Sequence, residues 1–281
     1  MSELPYNQNY IVLGKDFVDK TDPISIDINI IPKHIVLFYN ELNLVPNKVF
    51  DKWRIMAPGY MIIFFSFKDA AYFLEKYYNK DYKTYYNKTT YAAHKSDFFR
   101  LCFLYTYGGI YSDIDNEPFK NIKEFYNPYN NITFMTALSL NNNSFAQALI
   151  ISTRNNSCLK CGLDEYINIY SRLEKNHRHN KNYDGADLAG TRIMYRTIVK
   201  LLTDNKAIKN NIIRPHTGYI IREKVNNVLF KNNILFIDEF TPNGSWQNSY
   251  MRTGFDTVLK CRYDDYPWFN HRRGNGYQTN F

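Results

Sequence analysis

Asp113 and Asp115 are separated by one residue and follow the pair Gly108-Gly109 in a chain of 281 residues. Successive side chains alternate in extended backbone, so residues two apart point to the same side. On that reading both carboxylates lie on one edge of a strand end, with Ile114 facing away. They offer hard oxygen ligands suited to Mn²⁺ or Mg²⁺, with open positions for water and a substrate's phosphates. Asp97 and Arg100 are three apart, which in a helix puts them on one side about one turn from each other. A carboxylate and a guanidinium are costly to bury unless they are paired or bind something, so a plain ion pair and a ligand-binding pair both stay open. A calcium loop of EF-hand type would also use alternating acids, and Glu117 continues the alternation. That loop needs glycine at its sixth position, where this chain has Pro118.

These residues need elements to position them. From Tyr91 to Tyr107 the segment is apolar on more than one face (Ala92, Ala93, Phe98, Phe99, Leu101, Cys102, Phe103, Leu104), which predicts a helix buried among other elements. Gly108 and Gly109 end it, and Ile110 and Tyr111 begin a strand. Upstream, the run Ile31 to Tyr39 reads as a buried strand, Val45 to Met56 as a helix, Tyr60 to Phe65 as a strand and Phe67 to Tyr78 as a helix. This alternation predicts a parallel, nucleotide-binding half. Downstream, the pattern predicts a strand over Ile132 to Leu140 and, after a cap near Ser144, a helix over Phe145 to Thr153. Helices follow over Leu163 to Lys175 and Arg192 to Leu202. Strand signals recur at Ile212 to Arg214, Ile234 to Ile237 and Thr257 to Arg262. The N-terminus of the Arg192 helix suits an anion or an acceptor hydroxyl, and capping by Asp187 or Thr191 is equally consistent.

The ordered string Ala92-Ala93, Asp97-x-x-Arg100, Tyr107-Gly108-Gly109-Ile110-Tyr111, Asp113-x-Asp115 resembles the DXD region of sugar-nucleotide glycosyltransferases of the GT-A fold. It is most similar to glycosyltransferase family 32 and the related glucosylating domains of bacterial toxins. Ile31-Pro32-Lys33, and Trp53 followed by Pro58-Gly59-Tyr60, also resemble that family. The resemblance implies an α/β fold, a single GT-A-type domain with a mostly parallel central sheet flanked by helices. Residues 1–30 would be an N-terminal extension and 31–281 the catalytic domain. Within the latter, 31–118 would bind the nucleotide sugar, and 119–281 the acceptor, with a C-terminal closing segment.

Residue by residue, the resemblance implies that Asp97 and Arg100 hold donor-sugar hydroxyls and that Tyr111 packs beside the nucleotide. Asp113 would touch the ribose and the metal's water shell, while Asp115 would ligate the metal. Phe38 and Tyr39 are candidates for contact with the base; the family usually has Trp at the latter position. Trp268 and His271, with Asn270, are candidates for closing over the donor, and His271 for completing the metal shell. The implied function is metal-dependent transfer of a hexose from a UDP- or GDP-sugar to a glycan, lipid or protein hydroxyl, with retention of configuration. Asp113, Asp115 and Arg100 would carry the chemistry, with Mn²⁺ or Mg²⁺ as cofactor.

Composition bounds the rival readings. Hydrophobic residues at 44% and charged residues at 22% fit a globular domain. Aromatic residues reach 17%, so the core is expected to be ring-rich. A net charge of +8 favours anionic partners. The basic clusters His177 to Lys181 and His271 to Arg273 are short, which makes nucleic acid the weaker alternative, alongside an inactive glycosyltransferase-like binding module. A glycoside hydrolase built on Asp113 and Asp115 would have carboxylates poorly placed to straddle a sugar. Four scattered cysteines make no disulfide framework, and Cys158-x-x-Cys161 lacks a second pair for zinc. No apolar run approaches the roughly 20 residues of a membrane span, and the first residues show no signal-peptide pattern. A soluble, cytoplasmic protein is the expectation.

Overall fold

The computed structural model describes residues 11–89, 91–118, 120–126, 131–139, 144–175, 190–204, 218–225, 228–238 and 251–252. Strand β1 (Val12–Leu13) runs directly into helix α1 (Gly14–Lys20), whose Phe17 and Val18 are buried in the core. All five residues of β2 (His34–Phe38) are buried. Alternation is therefore absent from the sequence there, as expected for a strand covered on both faces. Helix α2 (Asn47–Met56) and strand β3 (Met61–Phe65) follow. Ser66 and Asp69 then form a reciprocal capping box that starts α3 (Phe67–Tyr77). Asn79 caps α4 (Lys80–Lys88), a tyrosine-rich helix not foreseen from the pattern.

Helix α5 (Ala92–Tyr107) leads into β4 (Gly109–Asp113), and β5 (Glu117–Pro118) and the single turn α6 (Ile122–Phe125) come next. The rest of the described chain comprises β6 (Phe134–Ser139), β7 (Ser144–Ser152), α7 (Ser157–Lys175), α8 (Gly190–Asp204), β8 (Gly218–Val225), β9 (Val228–Asp238) and β10 (Met251–Arg252).

Eight strands make one sheet in the order β1-β3-β2-β4-β7-β6-β9-β8, and β5 pairs with β10 in a second, two-stranded sheet. The ladders β1–β3, β3–β2, β2–β4 and β6–β9 are parallel, and β4–β7, β7–β6 and β9–β8 antiparallel. This is the mixed α/β architecture expected, a mostly parallel sheet between helical layers. Val36, Phe38, Ile63, Phe65, Tyr111 and Ile150 enter a core shared with α1, α3, α4, α5, α7 and α8. Ile35, Leu37, Ile62, Phe64, Ile110 and Ile151 enter the opposite core with α2 and α6.

The expected helix over Phe145 to Thr153 is corrected: that segment is β7. It lies between β4 and β6, hydrogen-bonded to both. Phe145 and Ile150 are buried on one face of the sheet and Leu149 and Ile151 on the other. A run that must be apolar on both faces has no period to distinguish it from a buried helix. The strand signal at Ile234 to Ile237 falls within β9, whereas those at Ile212 to Arg214 and Thr257 to Arg262 lie outside the described residues.

Candidate active site

Helix α5 carries the first part of the site. It is buried around most of its circumference, with Phe98, Phe99, Leu101, Phe103 and Leu104 all packed in the core. The turn from α5 into β4 depends on its two glycines. Gly108 has φ +70°, and a Cβ there would stand 2.7 Å from the Arg154 backbone nitrogen. Gly109 has φ +99°, and its Cβ would stand 2.3 Å from the His34 ring. His34 fastens the same turn: its Nε2 donates to Gly108 O at 2.9 Å, and its ring sits edge-on to Phe17 and Phe103. Burial lowers the His34 pKa to about 4, against the pull of the Gly108 bond, so the imidazole is neutral at neutral pH.

Strand β4 then delivers Asp113 at its C-terminal end, level with Phe38 of β2. The crevice at the carboxyl ends of parallel strands is where open α/β sheets bind ligands. Arg100 joins the two elements. Its Nη2 lies 3.0 Å from Asp97 Oδ1 and 3.0 Å from Asp113 Oδ1, and donates to Ser96 Oγ at 2.5 Å. Nε donates to Ser96 O and Nη1 to Gln147 O, at 3.1 and 2.5 Å. The guanidinium stacks over the Tyr111 ring, 4.5 Å from its centroid. The Tyr111 hydroxyl donates to Asp113 Oδ1 at 2.9 Å and lies 2.7 Å from Ser96 Oγ.

Burial works against the Arg100 charge, but Asp113, Tyr111 and Asp97 hold its pKa above the ordinary value, so it stays a cation. Burial raises the Asp97 pKa, with Arg100 and His94 pulling it back. Tyr111 is pushed well above its usual range by burial and remains a hydrogen-bond donor. Asp97 has a further partner: its Oδ2 accepts the Gly190 N–H at 3.1 Å, so the first amide of α8 points at this carboxylate.

The alternation expected through Asp115 stops at Asp113. Ile114 and Asp115 form a turn, closed by Asn116 N–H on Asp113 O at 3.1 Å and held by Asn116 Nδ2 on Ala148 O at 2.7 Å. The two carboxylates are therefore presented by a strand end and a tight turn instead of by one strand face. Arg100 and Tyr111 both take Asp113 Oδ1, which leaves Oδ2 for another ligand. The Asp113 side chain is 29% exposed. Two carboxylates, Asp97 and Asp113, face one guanidinium, and Asp115 stands in the adjoining turn, so the donor set and the excess negative charge suit a hard divalent cation. Among the described residues no group of three or more His, Cys, Asp and Glu side chains forms a metal cluster.

The other sequence-derived candidates scatter. Phe38 is stacked between Phe67 and Phe99, with ring centroids 5.1 and 4.9 Å away, and is a core residue. Tyr39 follows it at the strand end, half-buried against the α2-side core. Tyr111 is fully buried beneath Arg100 and supports Asp113 from below. Trp268 and His271 lie outside the described residues, as do Asn270 and Asp187. Cys158 is buried and Cys161 donates to its backbone oxygen, a contact within α7. Ser96, Asn116 and Gln147 also belong to this cluster, and no motif of the sequence marks them. The first two directly flank the acidic residues, and Gln147 interrupts an apolar run, so each leaves only a faint signal.

Residues 35–136 match the family model of the glycosyltransferase sugar-binding region containing the DXD motif, the stretch that holds Asp97, Arg100, Asp113 and Asp115. The resemblance read from the sequence is thereby borne out for this region. No curated protein matches the chain. Among solved structures, the PaToxG glycosyltransferase is similar over 61% of this chain and 70% of its own, at 20% identity and a TM-score of 0.45. The catalytic domain of alpha-toxin from Clostridium novyi is similar over 64% of this chain at 14% identity and a TM-score of 0.39. The chain spans 65% of that domain's length.

Proposed function

We propose that this chain, whose residues 35–136 form a DXD-type sugar-binding region, is a metal-dependent glycosyltransferase. It moves a hexose from a UDP- or GDP-sugar to a hydroxyl of a glycan, lipid or protein, with retention of configuration. The observation that carries this reading is the meeting of Asp97 and Asp113 on Arg100 at the carboxyl end of β4.

Asp113 Oδ2 and Asp115 are the residues that would hold Mn²⁺ or Mg²⁺, with His271 as a further candidate. When bound, such an ion stabilises the charge of the departing diphosphate. Arg100 is 3% exposed and its three nitrogens are all engaged, so its role is to fix the carboxylates. Asp97, with 13% of its side chain exposed, takes donor-sugar hydroxyls beside the start of α8. Trp268 is the candidate for closing over the donor. In the transfer, the sugar C1–O bond to phosphate breaks and a bond from C1 to the acceptor oxygen forms on the same face. The acceptor's proton passes to the leaving phosphate, so no dedicated base is required. Among the described residues no helix is long and apolar enough to cross a membrane.

The test is a thermal-shift and hydrolysis screen of UDP- and GDP-sugars with Mn²⁺, with Mg²⁺ and with EDTA. Stabilisation by one nucleotide sugar that EDTA abolishes is the expected result, with slow release of its sugar. Stabilisation by nucleic acid, and none by any nucleotide sugar, would overturn it.

A further inference from the structure

The ladder between β7 and β6 slips beside the site. Thr136 pairs with Ile150, and the next residue, Ala137, pairs with Ala146. Gln147, Ala148 and Leu149 therefore oppose no residue of β6, although Leu149 stays paired with Ser112 of β4. A bulge takes backbone groups out of the ladder, and buried carbonyls then need other donors. Each of these three has a side-chain donor. Arg100 Nη1 reaches Gln147 O, Asn116 Nδ2 reaches Ala148 O, and Thr136 Oγ1 reaches Leu149 O at 3.1 Å. Two of the three donors belong to the site, one from the ion-paired helix and one from the acidic turn.

Gln147 contributes its side chain as well. Its Nε2 donates to Gly190 O at 2.7 Å, and Gly190 N–H donates to Asp97. Asp97 pairs with Arg100, and Arg100 returns to Gln147 O. The ring of contacts closes through β7, α8 and α5. Gln147 is 1% exposed, and its Oε1 has no hydrogen-bond partner among the described residues. Leucine would fill a similar volume without stranding an acceptor, so packing alone does not account for the amide. Glycine at 190 is part of the same arrangement. A Cβ there would stand 2.5 Å from Tyr166 Oη, 2.7 Å from Gln147 Oε1 and 2.8 Å from Asp97 Cβ.

We propose that Gln147 is a positioning residue of the donor site. It holds the start of α8 against Asp97 and, through the bulge, keeps Arg100 and the acidic turn in register. The inference rests on the glycosyltransferase reading for what the site binds, and on the hydrogen-bonded ring for how it is held.

Gln147→Leu keeps the volume and the backbone carbonyl and removes both amide atoms. In that variant the Gly190 N–H is expected to exchange with deuterium about tenfold faster. With Mn²⁺ present, the Kd for UDP-glucose or GDP-mannose should rise about tenfold, the scale of losing a group that orients site ligands. The thermal midpoint should hold or rise, because the stranded oxygen is gone. Gln147→Glu, which sets an oxygen against Gly190 O, should weaken binding at least as much. Unchanged Gly190 exchange in both variants overturns the inference, whatever the donor data. Binding losses that merely follow the thermal midpoint would make Gln147 a packing residue and overturn it too. If the unsubstituted chain binds none of the screened UDP- and GDP-sugars, the proposed function fails, while Gly190 exchange still decides the ring.

Discussion

Asp97 and Asp113 come from different elements, a helix and a strand, yet both carboxylates lie 3.0 Å from the same nitrogen of Arg100. The pairing makes the geometry of the site a property of the core. Arg100 is buried, and its guanidinium cannot move without unsettling both acids, the Tyr111 ring and the β7 backbone.

Replacing Arg100 should therefore damage the fold. Arg100→Ala leaves the largely buried Asp97 without its cation, and breaking such a pair costs about 3–5 kcal/mol. Arg100→Lys recovers only part, since an ammonium cannot reproduce the forked contacts. Urea denaturation of both variants checks the order, and equal stability of Arg100→Ala and the unsubstituted chain would refute the role.

The two acidic positions should separate by stability. Asp115→Asn and Asp113→Asn are both expected to abolish metal-dependent transfer in folded protein. Asp113→Asn should also lower stability by about 1 kcal/mol, because it loses a partly exposed ion pair. Full activity in either purified variant would remove that residue from the site.

Asp97→Asn tests binding against structure. It keeps the shape and an acceptor for Gly190 but removes the charge opposite Arg100. Donor affinity should fall by about tenfold or more. A variant that only melts earlier, with unaltered affinity, would reduce Asp97 to a structural ion pair.

Acid should loosen the turn into β4. Folded, His34 stays neutral down to about pH 4, whereas unfolded it takes up a proton near 6.5. Between these values the unfolded chain binds the extra proton, so the contribution of His34 is complete above about pH 6.5 and is lost as pH falls toward 4. Its size is roughly 3 kcal/mol. His34→Gln should flatten that part of the pH dependence of the urea midpoint, and an unchanged slope would count against the assignment.

Gly109→Ala forces a side chain into a left-handed backbone against the His34 ring. The backbone strain alone is about 1–3 kcal/mol, and the overlap adds to it. A thermal midpoint within a degree of the unsubstituted chain would show that the turn can relax.

Much of the α5–β4 region was legible because its signals are local. The two glycines after α5, the spacing of Asp97 and Arg100 and the Asp113-x-Asp115 string all lie within one stretch of chain, and α5 and β4 fall where those residues predict. What was illegible depends on distant partners. Gln147 meets Arg100 across 47 residues and Gly190 across 43. Strand β7 has no alternation to read, because β4 and β6 and the helices on both faces enclose it. Periodicity alone places Asp115 on a strand. The Asn116–Ala148 bond that holds the turn depends on a bulge no local pattern announces.

The register of the β6–β9 ladder bears on the order of assembly. Phe134 lies opposite Ile234, so this parallel pair joins residues 100 positions apart in the chain. Strand β2 meets β3 across a far shorter stretch and β4 across a somewhat shorter one. Closure entropy grows with loop length, and distant parallel pairing is slow. A chain leaving the ribosome can thus build the Asp97–Arg100–Asp113 cluster early, and the far edge of its sheet last.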